Sequence, residues 1–271
     1  MPTKYIEVSG HTTYFHYAGQ TTLPGVAPDF SRGRKLVLVH GAGSNGRVWH
    51  HQIDALAAAH SPIALDLPGH GRSAGVEGLA TVGDYSQFVA AFLDALKIES
   101  AVLGGRSMGG AIAMDFALRY PARVKGLVLV ATAAKFPITA DRLAALQAVT
   151  MGRAPQAFVT DGYAQRTIKE KFDVVREGWM EQIKTDPRVR YTDMVACSNF
   201  DLTEQIAKID KPTLILAGAE DQGTSPAAAE FIKSKIRGAK LVVLPDAAHN
   251  IPNERPEEVN AAIDQFLAEL K

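Results

Sequence analysis

The sequence predicts an α/β fold, with a mostly parallel, eight-stranded sheet flanked by helices and a helical insertion. Apolar residues make up 46% of the 271 positions, enough to bury one sizeable core. Short, continuous apolar runs alternate with stretches of helical spacing, which is typical of parallel sheets covered on both faces. From about residue 135 to residue 208 the strand pattern disappears and only helical spacing remains.

The chain begins with a predicted hairpin. Strands are expected at Lys4–Val8 and Thr12–Tyr17, and the Ser9-Gly10 pair between them is a turn signal. After a loop rich in proline and glycine, the apolar run KLVLV at 35–39 predicts a strand that is buried on both faces.

Helices and strands then alternate along the chain. The expected helices lie near 46–59, 83–97, 108–119, 225–236 and 256–270, and the expected strands at 62–66, 100–104, 126–132, 212–218 and 239–245. Right-handed crossovers between such strands give a mainly parallel sheet with helices on both faces.

The interruption of this pattern defines the predicted domain organisation. The segments DRLAALQAV, AQRTIKEKF and VREGWMEQI carry the apolar spacing of helices. A stretch of about 70 residues is short for an autonomous domain, which typically has ~100–200 residues. We therefore divide the chain into a core of residues 1–134 and 209–271 and a helical insertion of residues 135–208.

Charge and cysteine content narrow the classes of function. The 29 basic and 29 acidic residues cancel, so the chain has no broad basic field for nucleic acid or an anionic membrane, and a small-molecule partner is favoured. The single cysteine, Cys197, excludes an intramolecular disulfide and a multi-cysteine metal site. With no signal-peptide pattern and no apolar run near the ~20 residues that span a bilayer, we expect a cytoplasmic protein.

The stretch Gly105-Arg106-Ser107-Met108-Gly109 matches the pattern G-x-S-x-G. It follows a predicted strand directly and opens a predicted helix, as a nucleophile elbow requires, and the helix N-terminus favours a developing anion. A helix N-cap needs no glycine on both sides, and no lysine follows at the spacing of a phosphate-binding loop. We interpret Ser107 as a nucleophile.

A serine nucleophile needs a base, and the base needs an orienting acid. Asp221 follows the strand at 212–218, and His249 follows the strand at 239–245. The chain order Ser107, Asp221, His249 is the order expected for such an elbow. Glu220 and Asp246 are competing acids; we favour Asp221 because of its position after the strand.

The other seven histidines are weaker candidates for the base. Two of them, His40 and His70, lie in loops bracketed by glycine. The other five lie in early segments that we interpret as surface: His11, His16, His50, His51 and His60.

Two backbone N–H groups are expected to bind the oxyanion of a tetrahedral intermediate. One is that of Met108, directly after the nucleophile. The other is assigned to Ala42, because Gly41 and Gly43 on either side let the backbone approach a ligand. A plain glycine-rich turn would explain the glycines but not their coincidence with the other features.

Together these segments resemble the α/β-hydrolase fold superfamily. The matching stretches are HGAG (40–43), DLPGHGRS (66–73), GRSMGG (105–110), GAED (218–221) and AAHN (247–250). The resemblance covers essentially the whole chain, is greatest to small esterases, enol-lactonases and ring-fission C–C hydrolases, and puts residues 135–208 where the family carries a helical cap.

The resemblance implies a reaction. Ser107 would attack a carbonyl, the N–H groups of Ala42 and Met108 would hold the oxyanion, and His249 would activate the water that hydrolyses the acyl-enzyme. Asp221 would orient His249, and no metal or organic cofactor would be needed. A serine at the elbow argues against the branches of the family that use an aspartate nucleophile.

Arg106 departs from the residues usual before the nucleophile in this family. Two interpretations stay open. Its guanidinium could bind a substrate carboxylate in a bidentate manner, or it could point away beneath the insertion or pair with an internal acid.

The leading prediction is hydrolysis of a small carboxylic ester or lactone. Alternatives are C–C bond hydrolysis of ring-fission keto-acids, and a ligand sensor on a hydrolase scaffold. Trp179 and Phe136 in the insertion are expected to contribute to the substrate pocket, although packing alone could also explain them.

Overall fold

A computed structural model describes residues 1–270. Its strands are β1 Thr3–Val8, β2 His11–Tyr17, β3 Lys35–Val39, β4 Ser61–Leu65, β5 Ala101–Arg106, β6 Val124–Val130, β7 Thr213–Gly218 and β8 Lys240–Leu244. Its α-helices are α1 His50–Leu56, α2 Val82–Ala95, α3 Met108–Arg119, α4 Ala140–Thr150, α5 Gln165–Glu170, α6 Phe172–Gln182, α7 Pro187–Ser198, α8 Pro226–Lys235, α9 Ile251–Glu254 and α10 Pro256–Glu269.

The described residues form one eight-stranded sheet of order β1-β2-β4-β3-β5-β6-β7-β8. β3 to β8 pair in parallel, whereas β1 pairs antiparallel with β2, and β2 antiparallel with β4. The predicted hairpin turn is present, with Ser9 and Gly10 at φ values of 49° and 80°, the left-handed region that tight hairpin turns use. The predicted α/β-hydrolase fold class is confirmed.

The core lies on both faces of the sheet. Successive residues of β3 belong to different apolar clusters: Val37 and Val39 pack with the side of α2 and α3, and Leu36 and Leu38 with the side of α1 and α10. Because neighbouring side chains of a strand point to opposite faces, a continuous apolar run in β3 is what a doubly covered strand requires.

The strand and helix ends agree with the predictions to within two residues, with one exception. The helix expected at 46–59 is a 3-10 turn, Gly46–Trp49, followed by the shorter α1. Residues 135–208, named here the helical segment, contain α4 to α7, of which α7 was not predicted. None of the helices in residues 1–270 is long and apolar enough to cross a membrane.

Candidate active site

Four loops bring polar groups to one edge of the sheet. They follow β3, β5, β7 and β8, and the carboxyl ends of parallel strands meet at the same edge. A cavity of about 710 Å³ lies there, and Ala42, Ser107, Asp221 and His249 all line it. The helical segment supplies part of the wall. The sequence-predicted residues are therefore together in space.

Ser107 occupies a sharp turn between β5 and α3, with φ at 55°. The turn is possible because neighbouring backbones come very close. A Cβ on Gly105 would lie 2.1 Å from the Gly109 carbonyl, and a Cβ on Gly109 would lie 2.2 Å from the Val39 oxygen. A positive φ at a non-glycine residue is costly, and it is found where the surrounding structure enforces it.

Asp221 and His249 are joined by a hydrogen bond of 2.8 Å from His249 Nδ1 to Asp221 Oδ2. Asp221 is buried, and it also accepts bonds from the backbone N–H groups of Gly223 and Thr224 and from the Thr224 hydroxyl. Burial works to raise the pKa of Asp221, but the hydrogen bond and charge of His249, with the bonds from Thr224, hold this pKa well below its usual range. Asp221 is therefore a charged acceptor.

No hydrogen bond joins the Ser107 hydroxyl to His249 in residues 1–270, although both groups line the cavity. With Nδ1 engaged by Asp221, the free ring nitrogen of His249 is Nε2. A bond between a nucleophile and its base is often long before substrate binds.

Glu254 fixes the loop that carries His249. Its buried carboxylate accepts bonds from the N–H groups of Ala248 (3.0 Å) and Asn250 (3.2 Å), on either side of the histidine. The other oxygen accepts bonds from the Ala164 N–H (2.7 Å) and the Thr167 hydroxyl (2.8 Å) of the helical segment. Glu254 was missed in the sequence, because nothing marks it apart from a common acidic residue.

The backbone N–H groups of Ala42 and Met108 make no hydrogen bond to another group of residues 1–270. The N–H of Gly43, in contrast, donates to Asp193 Oδ2 at 2.9 Å. Met108 lies at the first position of α3, where helical N–H groups have no partner within the helix. The two predicted donors are thus available for a ligand oxygen.

Asp193, on α7, was missed in the sequence as well. It is fully buried, and besides Gly43 it binds His70 Nε2 at 2.7 Å and accepts a bond from the Tyr85 hydroxyl. His40, on the other side of the loop, bonds the Gly41 carbonyl at 2.8 Å. The only sequence signal was that His70 lies in a glycine-bracketed loop.

Arg106 lines the cavity and is nine-tenths buried, with 7% of its surface exposed. It donates to the Asn250 side-chain oxygen, a neutral partner. Within residues 1–270 it makes no ion pair with an acid, and its Nε–H has no acceptor. Burial lowers the pKa of Arg106, yet an arginine side chain stays charged. The internal ion pair that was one interpretation of Arg106 is therefore absent from the described residues.

Trp179 and Phe136 both line the cavity. Phe136 packs against Phe200, with ring centroids 6.1 Å apart, so it also belongs to the core. Trp179 packs edge-on against Phe158 at 5.4 Å, and its indole N–H has no acceptor in the described chain.

The competing acids lie elsewhere. Glu220 accepts a bond from the Gln165 N–H at the surface, and Asp246 pairs with Arg166 and Arg255.

Two of the histidines interpreted as surface residues are buried, so that interpretation was wrong for them. His16 is 7% exposed and His60 is 8% exposed. His16 stands on β2, which lies inside the sheet between two antiparallel neighbours, and the alternating pattern of a strand does not show in its own sequence which faces are covered.

Known proteins with a similar sequence or fold include several hydrolases. The alpha/beta hydrolase family matches residues 36–262. A pimeloyl-[acyl-carrier protein] methyl ester esterase of Neisseria meningitidis is 30% identical over 228 residues, which is 80% of this chain and 86% of that protein. A 3-oxoadipate enol-lactonase of Acinetobacter baylyi is 28% identical over 87% of this chain and 89% of the relative.

A solved structure of a thermophilic esterase from Thermogutta terrifontis superimposes with a TM-score of 0.85. The two chains are 26% identical, and the match covers 98% of each.

Proposed function

The chain belongs to the alpha/beta hydrolase family, and from that premise we propose that it is a serine hydrolase that cleaves a small carboxylic ester or lactone through an acyl-enzyme on Ser107. One observation carries the proposal: the hydrogen-bonded pair of Asp221 and His249 lines the same cavity as a serine held at a strained elbow. The esterases and the enol-lactonase among the relatives support the choice of bond.

In the proposed reaction, His249 Nε2 takes the proton of the Ser107 hydroxyl as the oxygen attacks the ester carbonyl. The imidazolium formed is stabilised by the charged Asp221, with which it already shares a hydrogen bond. His249 then gives the proton to the leaving alkoxide, and the acyl group stays on Ser107. Water activated by His249 releases the acid and restores the serine.

The N–H groups of Ala42 and Met108 are proposed to hold the oxyanion. They are free of other partners in the described chain, and they belong to the loop after β3 and the first turn of α3. Removing one donor of this kind typically costs about 3–4 kcal/mol of transition-state stabilisation.

We propose that the helical segment is a cap on a core of residues 1–134 and 209–271. It contributes Phe136, Trp179 and Arg190 to the cavity wall, so it helps to shape the space in which the acyl or alcohol part of a substrate lies.

We further propose that the substrate carries a carboxylate next to the scissile bond. Two residues of the cavity wall, Arg106 and Trp179, have buried N–H groups without an acceptor, and one of them is a cation without an ion pair. A buried charge needs a partner, and a guanidinium binds a carboxylate through charge-assisted hydrogen bonds. Such a cavity is complementary to an anionic substrate rich in acceptors.

A fluorophosphonate tests the nucleophile. Labelling should occur in the wild type and be absent in Ser107→Ala, with mass spectrometry locating the adduct on Ser107. A folded wild-type protein that stays unlabelled would contradict the serine-hydrolase proposal. Fast labelling together with a single turnover and a stable acyl-enzyme would instead indicate a sensor.

A substrate panel tests the bond and the charge. It compares neutral aryl esters of graded chain length, aryl half-esters of dicarboxylic acids, lactones, and dienoic keto-acids. Arg106→Gln should lower kcat/KM on the half-esters at least about tenfold more than on the neutral esters, the usual value of a charge-assisted bond. Equal losses on both classes would rule out the carboxylate contact, and cleavage of the keto-acids alone would replace ester hydrolysis by C–C hydrolysis.

A further inference from the structure

Asp193 connects the helical segment to three parts of the core. It lies on α7, and both it and His70 are fully buried. Its Oδ2 accepts the Gly43 N–H at 2.9 Å and contacts His70 Nε2 at 2.7 Å, while its Oδ1 accepts the Tyr85 hydroxyl. The Tyr85 oxygen in turn accepts the Leu79 N–H at 2.9 Å. Every polar atom of this carboxylate has a partner outside its own helix.

The hydrogen bonds of His70 fix its charge. Its Nδ1 lies 3.0 Å from the Pro68 carbonyl oxygen, and its Nε2 lies 2.7 Å from the Asp193 carboxylate. Both partners are acceptors, so both ring nitrogens must carry a proton, and His70 is an imidazolium. Burial works to lower the pKa of His70, but the charge and hydrogen bond of Asp193 outweigh it and the pKa is raised. The pair is a buried ion pair.

His40, in contrast to His70, is uncharged. Its Nδ1 donates to the Gly41 carbonyl at 2.8 Å, and its Nε2 accepts the Leu67 N–H at 3.1 Å. It is therefore a neutral imidazole, and burial, followed by the neighbouring His70 charge, keeps its pKa well below the usual value. The loop after β3 is thus held by His40 at Gly41 and by Asp193 at Gly43, with Ala42 between them.

The helix also packs directly on this loop. Gly43 has a φ of 62°, and a Cβ on it would lie 2.8 Å from the side chain of Arg190, one turn of α7 before Asp193. Backbone and helix are in van der Waals contact here, so a shift of α7 must shift Gly43 or open a gap.

We infer that Asp193 is a positioning residue that holds the Ala42 N–H in place for the oxyanion, and that His70 neutralises Asp193 so that its charge does not oppose the charge of the reaction. This inference rests on the proposed function. A bare carboxylate bonded to Gly43, the residue next to the proposed donor Ala42, would repel the negative oxygen in a medium of low dielectric. Paired with an imidazolium, the same carboxylate can fix the loop without that penalty.

The test compares wild type with Asp193→Asn, which keeps the shape of the side chain and removes its charge. Asp173→Asn, an exposed acid on the neighbouring helix α6, is the matched control. We expect kcat on an aryl ester to fall about 10- to 100-fold in Asp193→Asn, with KM within about threefold, as for a displaced oxyanion donor. The control should match the wild type.

Inhibition by an arylboronic acid separates positioning from a loss of stability. The boronate adds to Ser107 and puts a negative oxygen in the oxyanion site, so its Ki should rise by the same factor as kcat/KM falls. A merely structural role predicts a lower melting temperature with an unchanged Ki on the folded fraction, and that result would overturn the inference.

Amide hydrogen exchange gives a readout that does not depend on activity. The Gly43 amide should exchange at least about tenfold faster in Asp193→Asn than in the control, because its hydrogen bond is weakened. If fluorophosphonate fails to label the wild type, the proposed function fails and the catalytic role of Asp193 fails with it, and this exchange then tests only whether Asp193 holds the loop at Gly43. If the wild type is labelled and Asp193→Asn equals it in kcat, Ki and exchange, the inference fails and the proposed function stands.

If Asp193→Asn does not fold, Tyr85→Phe serves instead. It removes one of the bonds that orient the carboxylate and leaves the ion pair intact. A smaller effect in the same direction is expected, about two- to tenfold in both kcat and boronate Ki. Unchanged values in this folded variant would count against the inference.

Discussion

Glu254→Gln should lower the free energy of unfolding by about 2–4 kcal/mol. The carboxylate of Glu254 is 1% exposed and accepts four hydrogen bonds, two on each oxygen. Glutamine has one acceptor and one donor in the same shape. Whichever way the amide turns, its NH2 group must face two groups that were donors.

The contacts decide which way the amide turns. On one side both partners are backbone N–H groups, those of Ala248 and Asn250, which can only donate. On the other side the partners are the Ala164 N–H and the Thr167 hydroxyl, and the hydroxyl can rotate to accept. The NH2 group therefore faces Thr167, and the Ala164 N–H alone loses its acceptor.

The expected magnitude follows from these contacts. An unsatisfied buried N–H costs about 1–3 kcal/mol, and each remaining bond loses roughly half of its strength when its acceptor becomes neutral. Glutamine is uncharged, so the desolvation cost of burying a charge disappears. This gain offsets part of the loss and leaves about 2–4 kcal/mol. For a chain of this size that corresponds to a fall in melting temperature of roughly 5–10 °C.

Urea and thermal denaturation measure the effect, with the exposed Glu204→Gln as control. The bonds to Ala248 and Asn250 survive in the favoured orientation, so kcat at low temperature should fall less than about fivefold. A melting temperature within about 1 °C of the control would refute the reasoning, because it would mean that the four bonds add nothing over an amide.

Three further outcomes are expected. Gly109→Ala should cost about 3 kcal/mol or more of stability in urea titrations, because the added Cβ would lie 2.2 Å from the Val39 oxygen. Asp221→Asn should lower kcat roughly 10³- to 10⁴-fold on the folded protein, because an amide N–H facing His249 favours the wrong tautomer. Burial lowers the pKa of His16 from 6.5 to about 4, so the unfolded chain binds a proton in this window that the folded chain does not. The stability of the wild type should fall relative to His16→Gln by up to about 3 kcal/mol from pH 7 to pH 4, and parallel pH curves would contradict this.

The features of the fold that could be predicted are those with a local cause. The apolar run of β3 and the Ser9-Gly10 turn each follow from a few adjacent residues, and the structure has them where expected. The loops after β5, β7 and β8 could also be found, because a strand end is visible in the sequence and parallel strands share an edge.

The helix α7 could not be predicted in this way. Its buried positions are Val189, Asp193, Ala196 and Cys197, which have helical spacing. One of them is an aspartate, however, and a buried charge breaks the apolar pattern on which the prediction depends. Asp193, which makes α7 hard to predict from the sequence, is also the residue that binds α7 to the core.

The two buried carboxylates show why the rest of the site is not visible in the sequence. Asp193 contacts Gly43 across 150 positions, and Glu254 contacts Ala164 across 90. Three of the four partners of Glu254 and one of the three partners of Asp193 are backbone N–H groups, and any residue except proline can provide those, so these contacts have no mark in the sequence. A reacting group is constrained by its own chemistry, and a serine, a histidine and an aspartate can be sought by type. A group that holds a loop is constrained only by distance, and distance is fixed by the fold.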